Sequence, residues 1–599
     1  MSSPEIVSCR IHPGIGITRI GNSPDEYFIG PESPGLVPPP PNGFKDGNGR
    51  IKRQAARFRI YGLNAAGEVV KELTAADAEI VWTVHLANKK GFWFGNRQAL
   101  DVPGAVPLAF HNPNYVGDRQ NLIIDPGARS VTGINDCQSC KGGEYMGIAV
   151  PLGEIRTDKA GRLVVLGGLG NSACVTNQPF NDKGLNPGWY DDISDGPVSA
   201  TVNIDGYSVP VEPAWVAVGP PDYAPGILSP VTLYDVVYEL AAKQGWLTPP
   251  AEVSFTQHIY PIFHRFNQLQ WVNAGFYLDY GWGAPDDFLA PQNITLLASH
   301  GVAQQPLRQR IFEKFRDPDY HETQPLALPP IYGDVFVFPA DNKNPRQWLT
   351  LTRLQYGWLK AWAQGDFQED WPGQPPPTLP LESLPVTEQP HALDQAALEH
   401  CLGGPFHPGC ELTWNMRQAM LYSGAFRIKL RPADQPEPDF GDKLTPEEAL
   451  SPNGPLNGSG PGDLTRWMFL PWQIDTGSCG AGYTPNVNPY LPTFWPARVP
   501  NQVLTQSHYE QAVNKQLSVT QRLKHFGLRQ DWQRDFSVFL SFIERVNKFS
   551  QDWSKVGILT RQETSPGFPE LPDIVYVERG NELEQTDDRH LFVDPRRYR

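Results

Sequence analysis

Residues 56–73 read ARFRIYGLNAAGEVVKEL, and this stretch sets the fold class. Phe58 and Ile60 alternate with polar neighbours, the chain turns at Asn64–Gly67, and a second run returns. A period of two puts alternate side chains on one face, so the stretch predicts a β-hairpin with a half-buried strand. Working outward, Ile80, Trp82, Val84 and Leu86 keep the same alternation and set His85 on the opposite face. GRLVVLGGLGN (161–171) is a short apolar run closed by glycines, and 196–219 predicts two or three more strands around an Asp205-Gly206 turn. Helical spacing appears later. It covers 231–244 through Leu233, Val236, Val237 and Leu240, and 390–402, which opens on a proline and stops at Gly403-Gly404. The longest helix is expected over 534–553, with Phe536, Phe539, Ile543, Val546, Phe549 and Trp553 in one stripe. The fold class is therefore α+β, with a strand-rich N-terminal part (1–230) and a mixed, more helical part (231–599) sharing an extensive interface. Three Pro/Gly-rich stretches, 31–43, 371–391 and 431–462, read as long ordered connections.

Composition narrows the function. Against 50 Lys+Arg stand 65 Asp+Glu, a net charge of −15 that disfavours a polyanion partner such as nucleic acid. The 55 glycines and 61 prolines demand many turns and exclude a helical bundle. No apolar run is long enough to span a membrane, and the first residues lack the pattern of a secretory leader. Seven cysteines make a disulfide scaffold unexpected and suggest reduced thiols. A cytoplasmic location is expected, or export without a classical signal peptide; self-association as a homo-oligomer is left open.

The common cofactor signatures are missing. Cys137-Gln-Ser-Cys140 has no second pair to complete a zinc site and reads as part of a Gly-rich loop, TGINDCQSCKGG, unlike a thioredoxin setting. Gly167-Gly168-Leu169-Gly170 lacks the full dinucleotide spacing and reads as a turn that ends a strand. His258 and His264 are six apart and do not share a helical face, and no metal ligand set emerges. What remains is GDLTRWMFLPWQIDTGSCGAGY (462–483), with Trp467, Trp472, Asp475 and Cys479 within thirteen residues. An acid four residues before a thiol can lie one helical turn from it. Taken alone, Cys479 reads first as a buried structural thiol.

Several of these segments resemble the LodA-like cysteine tryptophylquinone amino-acid oxidase family. They are the run Ile11-His12-Pro13-Gly14-Ile15-Gly16-Ile17-Thr18-Arg19-Ile20-Gly21-Asn22-Ser23, then Tyr27 to Glu32, Asp195-Gly196-Pro197-Val198, Leu470 to Cys479, and Trp495-Pro496-Ala497-Arg498. The likeness runs from about residue 7 to about residue 580, in the family's order. It implies an oxidoreductase acting on CH–NH2 with oxygen as acceptor: a quinoprotein that forms a Schiff base with a primary amine of a free amino acid and releases ammonia and hydrogen peroxide. The resemblance implies a protein-derived cofactor, cysteine tryptophylquinone (CTQ), with Cys479 giving the thioether cross-link. No exogenous cofactor is expected.

The same resemblance assigns Asp475 to cofactor formation. It gives Trp553 as the best match for the modified tryptophan and Trp532 as the alternative, although Trp553 also closes an apolar stripe and is equally readable as core. Cys410, in HPGCELTW, and Tyr190, in GWYDD, resemble substrate-pocket residues, with simple burial as the other reading. A general base is needed. Asp475, flanked by Ile474 and near Trp472, fits a carboxyl raised toward neutrality by burial, with His508 as the alternative proton carrier. The family also implies a flavoprotein maturation partner (LodB-like). Competing readings are a catalytically silent member acting as a binding or structural protein, and a quinoprotein acting on a peptide or non-amino-acid amine.

Overall fold

In the computed structural model the described residues are 6–37, 39–95, 98–102, 104–181, 186–320, 324–333, 348–404, 412, 414–468, 470–479, 490–493, 497–536, 540–564, 567–583 and 591–592. Cys410, Trp495 and Phe539 lie outside them. The architecture is α+β, with a 14-stranded sheet in the N-terminal part and the helices beyond it.

The hairpin that decides the class forms as its alternation requires. Strand Arg53–Leu63 pairs antiparallel with Val69–Leu73. Asn64 closes the turn, its side-chain oxygen accepting from the Ala66 and Glu68 amides while Gly67 takes φ +78°. Strand Glu79–Val84 buries Ile80, Trp82 and Val84, and His85 lies on the other face, where its ring meets Asp125 at 2.7 Å. Asp205 and Gly206 both have positive φ, so the strand Asp195–Ile204 folds straight back on Tyr207–Val209 through the tight turn their sequence anticipates.

The central strand Ala214–Gly219 pairs parallel to Ile15–Arg19 and antiparallel to Asp195–Ile204. Its alternation divides two cores. Ala214 and Val216 join the cluster of Ile11, Phe58, Trp82 and Val165 on one face. Trp215 and Ala217 face a larger cluster that runs through the helices and includes Trp472, Cys479, Trp532, Phe549 and Trp553. Strand and helix parts thus share one continuous apolar interior.

The helices Leu233–Lys243 and Gln389–Glu399 form where expected, the first with a Thr232/Asp235 capping box, the second with Pro390 in its first turn. Two expectations need correction. The long helix expected over 534–553 is shorter: Phe542–Asp552 is α-helical and begins at Ser541, whose hydroxyl and Glu544 form a capping box, while Arg534–Phe536 makes a separate 3-10 turn. A side-chain cap that satisfies the first amides outweighs the continuing apolar stripe. The Cys137-Gln-Ser-Cys140 segment is a short edge strand, Cys137–Ser139, paired with Glu154–Thr157, rather than a loop. There Cys137 is exposed and Cys140 buried.

Candidate active site

The segment 470–479 folds into one short helix, Trp472–Ser478, and Cys479 follows as its last cap. Pro471 ends the extended approach and Asp475 lies in the first turn, favourable to the positive end of the helix. Trp472, Gln473, Ile474, Asp475, Thr476 and Gly477 are all buried, so the helix is enclosed rather than amphipathic. The Cys479 thiol lies 3.2 Å from the Asp475 carbonyl oxygen, which the i, i+4 spacing allows, and the cysteine has no exposed surface.

What anchors this helix comes from far away in the sequence. The Trp472 amide donates to the Asp191 carboxylate at 3.0 Å. Asp191 also accepts from the Lys90 ammonium at 2.6 Å and the Asn88 side chain at 3.0 Å. Lys90 in turn donates to the Leu470 carbonyl, just before the helix. Lys90 is almost fully enclosed, and burial lowers its pKa while the carboxylates of Asp191, Asp475 and Asp192 oppose that fall. Asp192 points into the Gly167–Asn171 turn, where the Gly170 and Asn171 amides both donate to its Oδ2 at 2.8 Å. The Gly170 carbonyl accepts from Gln473 on the helix at 2.9 Å. Burial dominates at Asp192 and pushes its carboxyl up to about 7.

The two tryptophan candidates both lie in the apolar cluster that holds Cys479. Trp553 meets the ring of Trp472 edge-on, with centroids 5.0 Å apart, at the start of the helix. Seven residues separate Trp472 from Cys479, about 10 Å along the axis at 1.5 Å per residue. Trp553 also presses on Gly170, where an added Cβ would come within 2.1 Å of the ring. Near the other end, Gly477 packs on Phe549, where an added Cβ would meet the Phe549 side chain at 3.0 Å. Phe549 neighbours Trp532, at 5.9 Å between centroids, and Phe536, at 5.5 Å. Trp532 is fully buried, covered by Tyr223 at 4.7 Å, and its indole N–H donates to the Gly557 carbonyl at 2.9 Å.

The other expected residues fall further off. Tyr190 packs its ring on Tyr145, at 5.5 Å, against the core on the far face of the sheet. His508 is half-buried on the helix Gln506–Ala512 and stacks on His525. Lys90, Asp191, Asp192 and Gln473 were not singled out from the sequence. The adjacent acids of GWYDD were the one available signal, since two carboxylates beside Trp189 and Tyr190 are unusual in a strand end. A groove of about 1880 Å³ lined by residues such as Pro39, Tyr260, Glu399 and Ile558 is separate, and neither Asp475, Cys479 nor either tryptophan forms its wall. Among the described residues no group of three or more His, Cys, Asp or Glu is placed to hold a metal ion, and no helix is long and apolar enough to cross a membrane.

Two of the quoted segments, those of Asp195 and Arg498, make buried contacts across the chain. The carboxylate of Asp195, opening Asp195-Gly196-Pro197-Val198, accepts from the Leu464 and Thr465 amides, the Thr465 hydroxyl and the Trp215 indole. Arg498 donates to the Pro221 carbonyl at 2.7 Å and its own carbonyl accepts from the Tyr223 amide, beside Trp532. Fold and site together define a large α+β protein with an acid and a thiol on one buried helical turn inside an aromatic core. Residues 12–218 match the family model described as L-Lysine epsilon oxidase N-terminal, and residues 335–495 the L-lysine epsilon oxidase C-terminal domain. The chain belongs to the L-lysine epsilon oxidase (LodA) family. It is 29% identical over 586 residues to the L-lysine 6-oxidase of Marinomonas mediterranea, covering 84% of this chain and 75% of that protein. Crystal structures of the L-Lys epsilon-oxidase from the same organism share the fold. One, described as a Schiff base intermediate with L-Lys, has a TM-score of 0.69 at 24% identity, covering 96% of this chain and 95% of that one; another has a TM-score of 0.70 at 24%.

Proposed function

We propose that this chain is a quinoprotein oxidase that deaminates a primary amine of a free amino acid with dioxygen, releasing ammonia and hydrogen peroxide. The observation that carries the reading is the pair Asp475 and Cys479, both fully buried on one turn in a member of this family and set in a core of tryptophan and phenylalanine rings. A cysteine tryptophylquinone, once formed, supplies a carbonyl pair that draws electrons from an amine and yields them to oxygen. The residues suit such a group. The thiol is shielded from solvent, so it is spared random oxidation. The Trp532 indole N–H is already satisfied by Gly557, which fixes the ring plane and leaves its carbon edges among apolar neighbours.

Packing favours Trp532 over Trp553 as the partner of Cys479. Trp532 is reached from Gly477, two residues from the thiol, through Phe549, whereas Trp553 rests on Trp472 two helical turns away. Asp475 serves as the base that keeps the incoming amine neutral and takes its proton, its carboxyl sharing the field of Lys90. His508 is the alternative proton carrier, and Cys410 and Tyr190 remain candidates for the substrate pocket. Maturation needs oxygen inserted into an unreactive indole, the task assigned to a flavoprotein partner.

The test is intact-mass measurement and redox-cycling quinone stain of the denatured chain, expressed with and without the flavoprotein, for wild type, C479A, W532F and W553F. Stain and a mass change are expected only with the partner. They should be lost in C479A and W532F and kept in W553F. A wild-type chain that never stains ends the oxidase reading; one that stains is assayed for peroxide release against amino acids, lysine first.

A further inference from the structure

The glycine turn Gly167–Asn171 does more than end a strand. Gly168 has no room for a side chain, because an added Cβ would fall 2.3 Å from Asp192 Oδ2. Gly170, at φ +86°, turns its amide to the same carboxyl and its carbonyl to Gln473. The turn therefore cradles Asp192 on one side and the Trp472–Ser478 helix on the other. Only one oxygen of Asp192 is used. Its Oδ1 is buried with no hydrogen-bond partner among the described residues, as is Gln473 Oε1.

An orphaned buried carboxyl oxygen is costly and asks for an explanation. Charge supplies one. Among the described residues Lys90 is the ammonium of this pocket, and it faces three enclosed carboxyls: Asp191 at the strand end, Asp192 beside it, and Asp475 on the helix. From the remaining elements, the Tyr190 phenol lies on the Asp192 side and His111 on the Lys90 side, where burial holds its imidazole neutral with a pKa of about 4. With all three acids ionised, the cluster carries two uncompensated negative charges in a poorly polarisable interior. Protonation of Asp192, whose Oδ1 has no hydrogen-bond donor among the described residues to steady its charge, relieves one.

We propose that Asp192 is a proton-holding positioning residue. Kept neutral on its glycine cradle, it leaves the Lys90 ammonium to Asp191 and Asp475 and so fixes the charge state in which Asp475 works. This rests on the oxidase reading for its functional part, but not for the protonation itself. Asp192 touches neither thiol nor indole; it acts through Lys90. Ionisation of Asp192 adds a negative charge beside the same lysine and weakens its hold on Asp475. Asn at 192 mimics the neutral acid.

Two measurements test this. Infrared titration of the unmodified chain between about pH 5 and about pH 9, bracketing a carboxyl near 7, is expected to show protonated buried carboxyls that disappear on the alkaline side, the Asp192 band beside those of Glu399 and Asp195. D192N should lack the Asp192 band alone and melt no lower than wild type. In the quinone-bearing chain, the pH profile of adduct formation with phenylhydrazine should lose its near-neutral inflection in D192N, while K90Q should move it to higher pH. Absence of the Asp192 band in wild type overturns the proposal. So does a D192N profile identical to wild type. A wild-type chain that shows the band but forms no quinone removes the oxidase reading and leaves the protonation assignment standing. If D192N does not fold, the wild-type band and the K90Q shift decide the matter.

Discussion

Replacing Asp191 with alanine should cost this protein about 3–5 kcal/mol, the usual result of removing one partner from a buried ion pair. The size follows from its contacts. The carboxylate accepts from Lys90 Nζ at 2.6 Å, Asn88 at 3.0 Å, the Ile193 amide at 3.3 Å and the Trp472 amide at 3.0 Å. Each would be left in a region closed to water. Lys90 is the largest loss, because its side chain is only 6% exposed and burial already depresses its pKa. The complementary K90M leaves Asp191 three of its donors but strands its charge and the Leu470 carbonyl, and should cost a similar ~3–5 kcal/mol. The pair K90M/D191A removes both charges. It should regain most of the loss, giving a coupling energy of at least ~2 kcal/mol in a double-mutant cycle. Urea unfolding followed by tryptophan fluorescence measures all four chains, with equal slopes required for comparison. Because Asp191 also starts the Trp472–Ser478 helix, D191A should yield less quinone after maturation than its remaining stability alone would predict. A coupling below ~0.5 kcal/mol, or a D191A chain as stable as wild type, would refute the claim that this pair anchors the site helix.

Gly170→Val should destabilise by roughly 2–5 kcal/mol, combining the strain of positive φ with an overpacked contact on Trp553; an unchanged melting temperature would show that the turn yields freely. Stability should be nearly flat with pH from about 4.5 to 6.5, because two sets of groups oppose each other. Asp192 and Glu399, raised to about 7, and Asp195, raised to about 6, bind more protons folded than unfolded, so their contribution is full at low pH and fades as pH rises. His111 and His264, lowered to about 4, and His400, lowered to about 3, bind fewer protons when folded, so theirs grows with pH over the same range. D192N removes one member of the first set and should tilt the curve upward with pH; an untilted curve contradicts the assignment. Among the described cysteines, only Cys137 should react with maleimide in the native chain, slowly because its pKa is raised by burial, while Cys9, Cys140, Cys174, Cys401 and Cys479 stay protected until unfolding.

Much of the local structure was legible because it depends on neighbours in the chain. Period-two alternation at Phe58 and Ile60, the Asp205-Gly206 turn and the proline-led helix at Pro390 are set by sterics and solvent exposure over a few residues. The 534–553 helix failed on the same local ground, since the Ser541 cap was a stronger signal than the stripe that ran through it. The site was half legible. That Asp475 and Cys479 can meet, on a helical turn or across a tight loop, follows from their spacing; the structure shows the helical turn, with the thiol close to the Asp475 carbonyl.

Sequence by itself determined the elements, their approximate limits and an acid–thiol pair spaced to meet, because each is a short-range matter of period, cap and spacing. Tertiary structure alone decided that Trp532 and Trp553 join Cys479 in one apolar cluster, and that Lys90, Asp191 and Asp192 converge beneath a helix nearly 400 residues away from Lys90, across the 380-residue gap to Leu470. No local pattern encodes such meetings. They arise when two apolar surfaces close over one another and the few charges trapped between them must find partners or give up their charge.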